Sequence, residues 1–475
     1  MWHFSMARIK YFLVTMTILC FFFLLCLNQY NVKLQSSRFR PVPMQKEEFG
    51  MVEDIGILKD LEVKFLPNFK NPCWYEVRRH DKQPHPQEVQ HFQIVPSAMQ
   101  HKYKSINYAD EVLQCLPYFF LIGQPKCATT DIFHRINSHP DVAEPVVKGP
   151  NWWTRKRFGR PYAPQPVSLR EYINLFNASK IKGYKQTSGE LQGTWEYPRI
   201  TGDGSTSTLW DSGATMGYLH HLMTTQKGTN IVQVLLQGRK ESNSVPNVRN
   251  SSKINAIRYE HAQGLGWNQS SAPQRGIVLP FTVADVIHLI LPKSRIIAVF
   301  REPVSRLFSS YLFFTKKGNL SSRHFDESVR TSIQKWNACV KQYSDRTCAY
   351  NKTLQNAMGV RLYNGLYNLY MKDWLQVFPR KQVLVLRMED YHNNVTKTLA
   401  SIYHHLGLRS PTPDENKRIN IHKVYNKNRK KSLVGDMFDS TRKMLQDFYK
   451  PYNKDLANLL NDPKFKWEDI SAILK

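Results

Sequence analysis

The sequence predicts an α/β domain with a central, mainly parallel sheet flanked by helices. Two observations carry this prediction. Short, continuous apolar runs recur along the chain, as expected of strands that are buried on both faces. Segments with apolar residues at helical spacing alternate with these runs. The composition agrees, because 41% of the 475 residues are hydrophobic, which is too high a share for a disordered chain.

Three apolar runs are expected to form the strands. They span 118–122, 295–300 and 383–386, and the residues that end them are Gly123, Arg301 and Arg387. Ligands of parallel α/β sheets bind at the carboxyl ends of the strands. The first two strand ends are therefore expected to carry the chemistry.

Helices are predicted after the first two runs and before the third. Apolar residues recur at helical spacing over 129–136, 303–311 and 362–374. Thr129 and Thr130 are expected to cap the first helix, and Pro303 suits the first turn of the second. This alternation of strands and helices places neighbouring strands parallel to each other.

The charge of the chain points to a polyanionic partner. Its 66 Lys and Arg residues exceed its 38 Asp and Glu residues, so the formal net charge is +28 at pH 7. A protein so basic is expected to bind nucleic acid, an anionic membrane surface, or a sulfated or carboxylated polysaccharide. Composition does not choose among these three partners.

An apolar segment near the N-terminus predicts a membrane anchor. Residues 11–27 are apolar or carry hydroxyl groups, follow Arg8 and Lys10, and would span roughly 26 Å as a helix. A cleaved signal peptide is the alternative, but the segment does not end in the small residues of a cleavage site. The expected organisation is a cytoplasmic tail at 1–10, a signal anchor at 11–27, a stem at 28–70 and a lumenal domain at 71–475.

Sequons and cysteines also favour the secretory pathway. The N-x-S/T sequons begin at Asn177, Asn250, Asn268, Asn319, Asn351 and Asn394. Cys339 and Cys348 would close a short disulfide loop, Cys73 could pair with Cys115, and Cys127 would be left over. A type II glycoprotein that faces the lumen disfavours nucleic acid as the partner. The sequence does not predict an oligomeric state.

The first strand run leads into a segment with the properties of a phosphate-binding loop. Residues 123–130 bring together backbone N–H groups, a helix N-terminus, Lys126, Thr129 and Thr130. The segment lacks the Gly-Lys-Ser/Thr ending of a Walker A motif. An ordinary βα turn with a capping Thr is the alternative.

The second strand end adds further anion-binding groups. Arg301 lies at its tip and Ser309 follows two helical turns later, with Arg306 between them. A guanidinium and a hydroxyl group there could clamp a second phosphate, although a helix-capping Arg and a surface Ser are the alternative. Together the two loops indicate a nucleotide with phosphates at two separate positions, namely 3′-phosphoadenosine 5′-phosphosulfate.

Several segments resemble the Golgi carbohydrate sulfotransferases. Residues 117–127 resemble the 5′-phosphosulfate loop of that family, and residues 300–311 resemble its 3′-phosphate site. Residues 152–159 look like the N-acetylgalactosamine 4-sulfate 6-O-sulfotransferase subfamily. The likeness continues through 202–205, 209–211 and 448–453, and it covers roughly 71–467.

The resemblance implies a single sulfotransferase domain with a P-loop-like α/β core and no metal ion, in a type II protein of the Golgi membrane. It implies transfer of a sulfuryl group from 3′-phosphoadenosine 5′-phosphosulfate to a glycosaminoglycan, at the 6-hydroxyl of N-acetylgalactosamine 4-sulfate in chondroitin or dermatan sulfate. The residues that would hold the donor are Lys126, Cys127, Ala128, Thr129, Thr130, Arg301, Ser309, Lys427 and Arg429. A solvated basic run is the alternative for 427–429.

Lys126 is the expected catalytic cation. The acceptor hydroxyl attacks sulfur in line, and Lys126 would neutralise the negative charge that builds on the leaving oxygen. Cys127 is expected to be a packed thiol rather than a nucleophile.

The acceptor is expected to contact two tryptophans and the basic residues that follow them. These residues are Trp152, Trp153, Arg155, Lys156 and Arg157, which offer sugar stacking and anion pairing. A buried Trp pair followed by a solvated basic run is the alternative.

Two departures from the family pattern bear on catalysis. Ala128 stands where relatives usually have Gly, which matters if the position needs a positive φ. Gly149 and Asn151 stand where relatives have the Glu expected as general base and a His, and neither residue accepts a proton usefully. Asp203 is the candidate replacement base, ahead of Glu144 and Glu190. The alternative is a catalytically impaired pseudoenzyme that binds nucleotide or sulfated glycan.

Overall fold

A parallel sheet lies at the centre of the structure, a computed structural model. The strands are β1 (Cys73–Val77), β2 (Glu111–Cys115), β3 (Phe119–Gly123), β4 (Gly202–Asp203), β5 (Arg295–Phe300) and β6 (Val383–Arg387). The last four pair in parallel in the order β4-β3-β5-β6. The three predicted strands are confirmed to within one residue. The two-residue strand β4 was not predicted, because two residues carry no periodic pattern.

The structure describes residues 65–77, 111–159, 166–183, 195–217, 281–316, 318, 320–420 and 434–469. The predicted tail, signal anchor and stem up to residue 64 lie outside these ranges. Within the described ranges, no helix is both long and apolar enough to cross a membrane.

Helices cover both faces of the sheet, as predicted. The first of them are α1 (Thr129–Asn137), α2 (Leu169–Ile173), α3 (Ala178–Lys182), α4 (Val283–Ile290), α5 (Pro303–Phe314), α6 (Ser322–Val340) and α7 (Asp345–Tyr350). They are followed by α8 (Lys352–Ala357), α9 (Tyr367–Val377), α10 (Met388–Asn393), α11 (Val395–Leu406), α12 (Pro413–Asn420) and α13 (Asp439–Leu460). Short 3₁₀ turns lie at Lys156–Phe158, Leu362–Gly365, Arg380–Gln382 and Pro463–Lys466.

Alternate side chains of the strands explain the two helical layers. Leu121 and Val299 pack with Phe133 of α1 and Ile402 of α11 in one buried cluster. On β5, Phe300 stacks on Tyr367 of α9, with ring centroids 4.3 Å apart. Since every residue of β3 is buried, the run of apolar residues that predicted this strand reflects burial on both faces.

The helical pattern predicted over 362–374 is divided in the structure. Leu362–Gly365 forms a 3₁₀ turn and helix α9 begins at Tyr367. Leu366 separates them, with φ −86° and ψ 59°, outside the helical region. The apolar residues of both pieces face inward, so the spacing predicted their burial correctly. The prediction of one continuous helix was wrong.

Both disulfide expectations are confirmed. Cys73 pairs with Cys115 across the antiparallel strands β1 and β2, and Cys339 pairs with Cys348 at the end of α6. Cys127 is a free, buried thiol, also as expected. The β1–β2 pair precedes β3 directly in the chain, so it lies at the amino end of the central strand.

Candidate functional site

The two predicted anion-binding loops lie side by side at the carboxyl edge of the sheet. Strands β3 and β5 are parallel neighbours, so the loops that follow them leave the sheet at the same edge. The backbone N–H of Gln124 donates to the carbonyl of Val299 at 2.9 Å. Its side-chain amide donates to the carbonyl of Asn364 at 2.6 Å and is fully buried. The first residue after β3 therefore ties the loop to the neighbouring strand and to the 3₁₀ turn at 362–365.

The loop enters α1 through a residue in the left-handed region. Ala128, with φ 57°, is the N-cap, and it has no side chain that could cap the helix. Thr129 and Thr130 are the first two helical residues, so the expectation that they cap α1 is wrong. Because no side chain caps the first N–H groups, these donors remain available to an anion. The concern about Ala128 is confirmed, since the position does adopt a positive φ.

Lys126 lies in this loop, half-buried and also with a positive φ of 73°. Its Nζ atom lies 3.8 Å from the ring centroid of Phe313, at the end of α5. Burial lowers the pKa of Lys126, and the nearby charge of Arg301 lowers it further. Two cations thus repel each other across the edge of the sheet, and an anion bound between them would relieve this repulsion. A phosphosulfate group fits that requirement.

Arg301 belongs to the loop that follows β5. Its carbonyl accepts a 2.9 Å hydrogen bond from the Tyr367 hydroxyl. Glu302, not Arg301, caps α5, because its carboxylate accepts from the N–H groups of Val304 and Ser305. The helix-capping alternative for Arg301 is therefore excluded. In the described part of the chain no carboxylate forms an ion pair with its guanidinium, and Ser309 follows on α5, half-buried.

The segment that holds Gly149 and Asn151 packs on the end of β4. The N–H of Gly204 donates to the Lys148 carbonyl at 2.8 Å, and the N–H of Asn151 donates to Ser205 Oγ at 2.8 Å. The two Gly residues around Asp203 are required by close contacts. A Cβ atom on Gly204 would lie 2.8 Å from the Lys148 carbonyl oxygen. The Gly-Asp-Gly-Ser pattern thus has a packing reason.

Asp203, the candidate base, is fully engaged by hydrogen bonds in this structure. Its Oδ2 accepts from the Tyr172 hydroxyl at 2.8 Å, and its Oδ1 accepts from the Ser205 N–H at 2.8 Å. The side chain is buried, and burial raises its pKa. Its role as a base stays a prediction, and these bonds favour a positioning role for it.

Lys148 is a notable group at this edge that the sequence did not single out. Its Nζ atom lies 3.3 Å from the Gly204 carbonyl oxygen. Burial lowers the pKa of Lys148 to about 8, against the opposing effect of the Asp203 charge. A local sequence pattern carries no signal for this, because the covering residues come from distant segments.

The predicted stacking of acceptor sugar on Trp152 and Trp153 is wrong. Both side chains are 1% exposed, and their N–H groups donate to the Val167 carbonyl and the Tyr172 hydroxyl, each at 2.8 Å. The reason is that the pair packs into the core beneath the loop, which was the alternative interpretation. No face of either ring is open to a sugar.

The basic residues after the tryptophans divide into two groups. Arg157 is also buried, over the Trp152 ring, so its expected acceptor contact is wrong. Arg155 pairs with Asp211 at 2.6 Å, and burial lowers the pKa of Lys156. Both are half-buried. Contacts from Arg155 and Lys156 to the acceptor stay predictions.

The remaining predicted sites lie partly outside the described residues. Those outside are Lys427, Arg429, Glu190, Asn250, Asn268 and Asn319. The three described sequons share one position, because Asn177, Asn351 and Asn394 are the N-caps of α3, α8 and α11. In each, the side-chain oxygen accepts from the backbone.

A family model and the sequences of known relatives indicate one family. Residues 222–451 match the model of a sulfotransferase domain. The chain is 32% identical over 434 residues to carbohydrate sulfotransferase 15 of Homo sapiens, across 88% of this chain and 68% of that protein. Carbohydrate sulfotransferase 15 of Rattus norvegicus is 31% identical over the same shares. Among solved structures, a sulfotransferase from Alicyclobacillus acidocaldarius aligns with a TM-score of 0.41 and 17% identity, across 73% of this chain and 96% of that chain.

Proposed function

Because the chain belongs to the carbohydrate sulfotransferase family, we propose that it sulfates the 6-hydroxyl of N-acetylgalactosamine 4-sulfate in chondroitin or dermatan sulfate. The donor is 3′-phosphoadenosine 5′-phosphosulfate. The observation that carries the proposal is the placement of Lys126 and Arg301 on adjacent loops at the carboxyl edge, where their charges repel. The net charge of +28 suits a polyanionic acceptor.

The residues present fit the donor. Lys126, the uncapped N-terminus of α1, Thr129 and Thr130 would hold the phosphosulfate end, while Arg301 and Ser309 would hold the 3′-phosphate. When bound, the donor supplies a sulfuryl group on a good leaving group. Lys126 stabilises the charge that develops on the leaving oxygen, and its half-buried position strengthens that effect.

The loop at Gly204 and Ser205 borders the acceptor side of this edge. Its position is fixed by Asp203, whose carboxylate is held by Tyr172, and by the contact of Ser205 with Asn151. For Asp203 to take the proton of the acceptor hydroxyl, its bonds to Tyr172 and Ser205 would have to rearrange.

The proposal includes the setting of the enzyme. A type II protein of the Golgi membrane, with its catalytic domain in the lumen, is supported by the apolar segment 11–27 and by the sequons. Sealed microsomes test this part. Protease should leave Lys475 protected, and endoglycosidase should lower the mass of the protein. A C-terminus open to protease would reverse the topology.

Transfer of radiolabelled sulfate tests the activity itself. The full chain should label chondroitin 4-sulfate and dermatan sulfate well above unsulfated chondroitin and heparan sulfate, and Lys126→Met should abolish labelling. Preferred labelling of heparan sulfate would reject the proposed acceptor. Tight binding of adenosine 3′,5′-bisphosphate without transfer to any glycan would favour the pseudoenzyme.

A further inference from the structure

Two large aromatic side chains are exposed beside the predicted catalytic lysine. Phe313 and Phe314 close helix α5, and they are 52% and 47% exposed. Their rings meet edge to face, with centroids 4.9 Å apart. Leaving two adjacent apolar rings about half exposed forgoes part of the stabilisation that burial gives.

A cationic side chain lies over each ring. Lys126 Nζ lies 3.8 Å from the Phe313 centroid, and the guanidinium carbon of Arg361 lies 3.6 Å from the Phe314 centroid. The order in space is therefore cation, ring, ring, cation. We call these four residues the aromatic–cationic row.

The far end of the row is anchored to the core. The carbonyl of Arg361 accepts a 2.9 Å hydrogen bond from Arg306, whose side chain is fully buried. The next residue, Leu362, accepts a 2.7 Å hydrogen bond from the buried Tyr449 hydroxyl. The backbone that carries Arg361 is thus held in place, as a binding residue requires.

We propose that the aromatic–cationic row is the subsite for the acceptor saccharide, an inference that rests on the proposed function. The apolar C–H face of a pyranose ring packs on exposed aromatic rings, while a sulfate or carboxylate of a neighbouring sugar pairs with Arg361. Because Lys126 forms one end of the row, a saccharide bound along it would extend toward the site of transfer. A nucleobase alone carries no negative charge for Arg361, and the phosphates of the donor are already assigned to the loop at Lys126 and to Arg301 and Ser309.

This assignment replaces the contacts first expected from the tryptophans. Trp152 and Trp153 are buried, whereas Phe313 and Phe314 offer exposed ring surface next to Lys126. The acceptor would then approach along the end of α5.

The test measures binding of hexasaccharides to the full chain in the presence of adenosine 3′,5′-bisphosphate. Phe314→Ser and Arg361→Gln should each weaken binding of a chondroitin 4-sulfate hexasaccharide about tenfold or more, the scale of one stacking or charge-assisted contact. Affinity for adenosine 3′,5′-bisphosphate alone should change less than about twofold, and Phe314→Trp should retain saccharide affinity.

Tyr75→Ser is the matched control. Tyr75 is 39% exposed, and Lys182 Nζ lies 5.3 Å from its ring centroid. It lies on β1, however, next to the amino end of the sheet. This variant should change neither affinity. Unchanged saccharide affinity in Phe314→Ser would overturn the subsite, and so would an equal loss of bisphosphate affinity, which would place the row in the nucleotide site.

A heparan sulfate hexasaccharide separates failure of the subsite from failure of the proposed function. If the wild type binds this probe and not the chondroitin probe, the proposed acceptor is wrong. The subsite then stands if Phe314→Ser still weakens binding, and it falls if that variant binds like the wild type. A wild type that binds neither probe overturns the subsite.

Discussion

The hydroxyl group of Tyr172 donates a 2.8 Å hydrogen bond to Oδ2 of Asp203, and it accepts one of 2.8 Å from Trp153 Nε1. All three side chains are buried. The chain of bonds leads from the core to the Gly204–Ser205 turn at the edge of the sheet. Trp153, predicted to contact the acceptor, instead supports the Gly204–Ser205 turn through Tyr172 and Asp203.

Asp203→Asn and Tyr172→Phe test this linkage. Each change leaves a buried partner without its hydrogen bond, so each should lower the free energy of unfolding by about 1–3 kcal/mol. Because both act on the same bond, the double variant should lose less than the sum. Transfer by Asp203→Asn should fall less than about tenfold. A loss of about 10²–10⁴-fold in Asp203→Asn alone would instead establish Asp203 as the base.

Arg301→Ala tests the nucleotide site. Loss of a charge-assisted contact should weaken binding of adenosine 3′,5′-bisphosphate by about 2–3 kcal/mol in calorimetry. Arg295→Ala is the control, since Arg295 begins the same strand, at the opposite edge of the sheet. Equal affinities in wild type and Arg301→Ala would remove Arg301 from the site.

Gly149→Glu combined with Asn151→His tests the missing base. If no other group accepts the proton, this double variant should transfer sulfate about 10²-fold faster or more, with little change in affinity for the bisphosphate. Space is tight, because a Cβ atom on Gly149 lies 3.1 Å from the Gly204 carbonyl oxygen. Gly149→Gln with Asn151→His has the same bulk without the carboxylate and should give no gain. An equal gain from both double variants would show that the gain does not come from the introduced carboxylate.

Ala128→Gly should stabilise the protein. Ala128 has φ 57°, where a methyl group costs roughly 1–2 kcal/mol and glycine does not, although glycine loses more chain entropy on folding. We expect a net gain of about 0.5–1 kcal/mol in the free energy of unfolding, measured with denaturant. Ala457→Gly, inside α13, should have the opposite sign, a loss of about 1 kcal/mol. No gain from Ala128→Gly would mean that this loop tolerates the alanine without strain.

Lys148→Met should change the dependence of stability on pH. The pKa of Lys148 is about 8 in the folded protein and 10.5 for an unburied lysine, so between these values the unfolded state binds more protons and stability rises with pH. The variant has no ionisable group at this position. Its free energy of unfolding should therefore exceed that of the wild type at pH 7, and the difference should fade toward pH 10.5. Lys443→Met, on the exposed face of α13, is the control. A difference that stays constant over this range would contradict the lowered pKa of Lys148.

The fold was largely predictable because its determinants are local. The strand runs that end at Gly123, Arg301 and Arg387 are apolar because the sheet is covered on both faces. The paired loops followed from these strands, since parallel neighbours end at one edge.

The surroundings of the residues predicted to contact the acceptor were less predictable because they depend on contacts between distant residues. The Trp152 ring faces the core because it bonds to the Val167 carbonyl and stacks on Tyr172. The Trp-Trp-Thr-Arg segment alone does not predict these contacts. Likewise, Arg361 reaches Phe314 only because the fold brings the 3₁₀ turn to the end of α5. The sequence thus predicted stacking on two rings that the fold buries.

The strand order β4-β3-β5-β6 has a consequence for synthesis of the chain. Strand β3 is complete at residue 123, but its neighbour β5 begins at residue 295. At ribosomal rates of roughly 5–20 residues per second, the apolar run 119–123 waits on the order of ten seconds or more for that partner. The Cys73–Cys115 pair is already available in this interval and can form beside it. Chaperones that hold nascent chains are thus expected to act on this protein between the emergence of β3 and that of β5, and slowing translation within 124–294 should increase its aggregation.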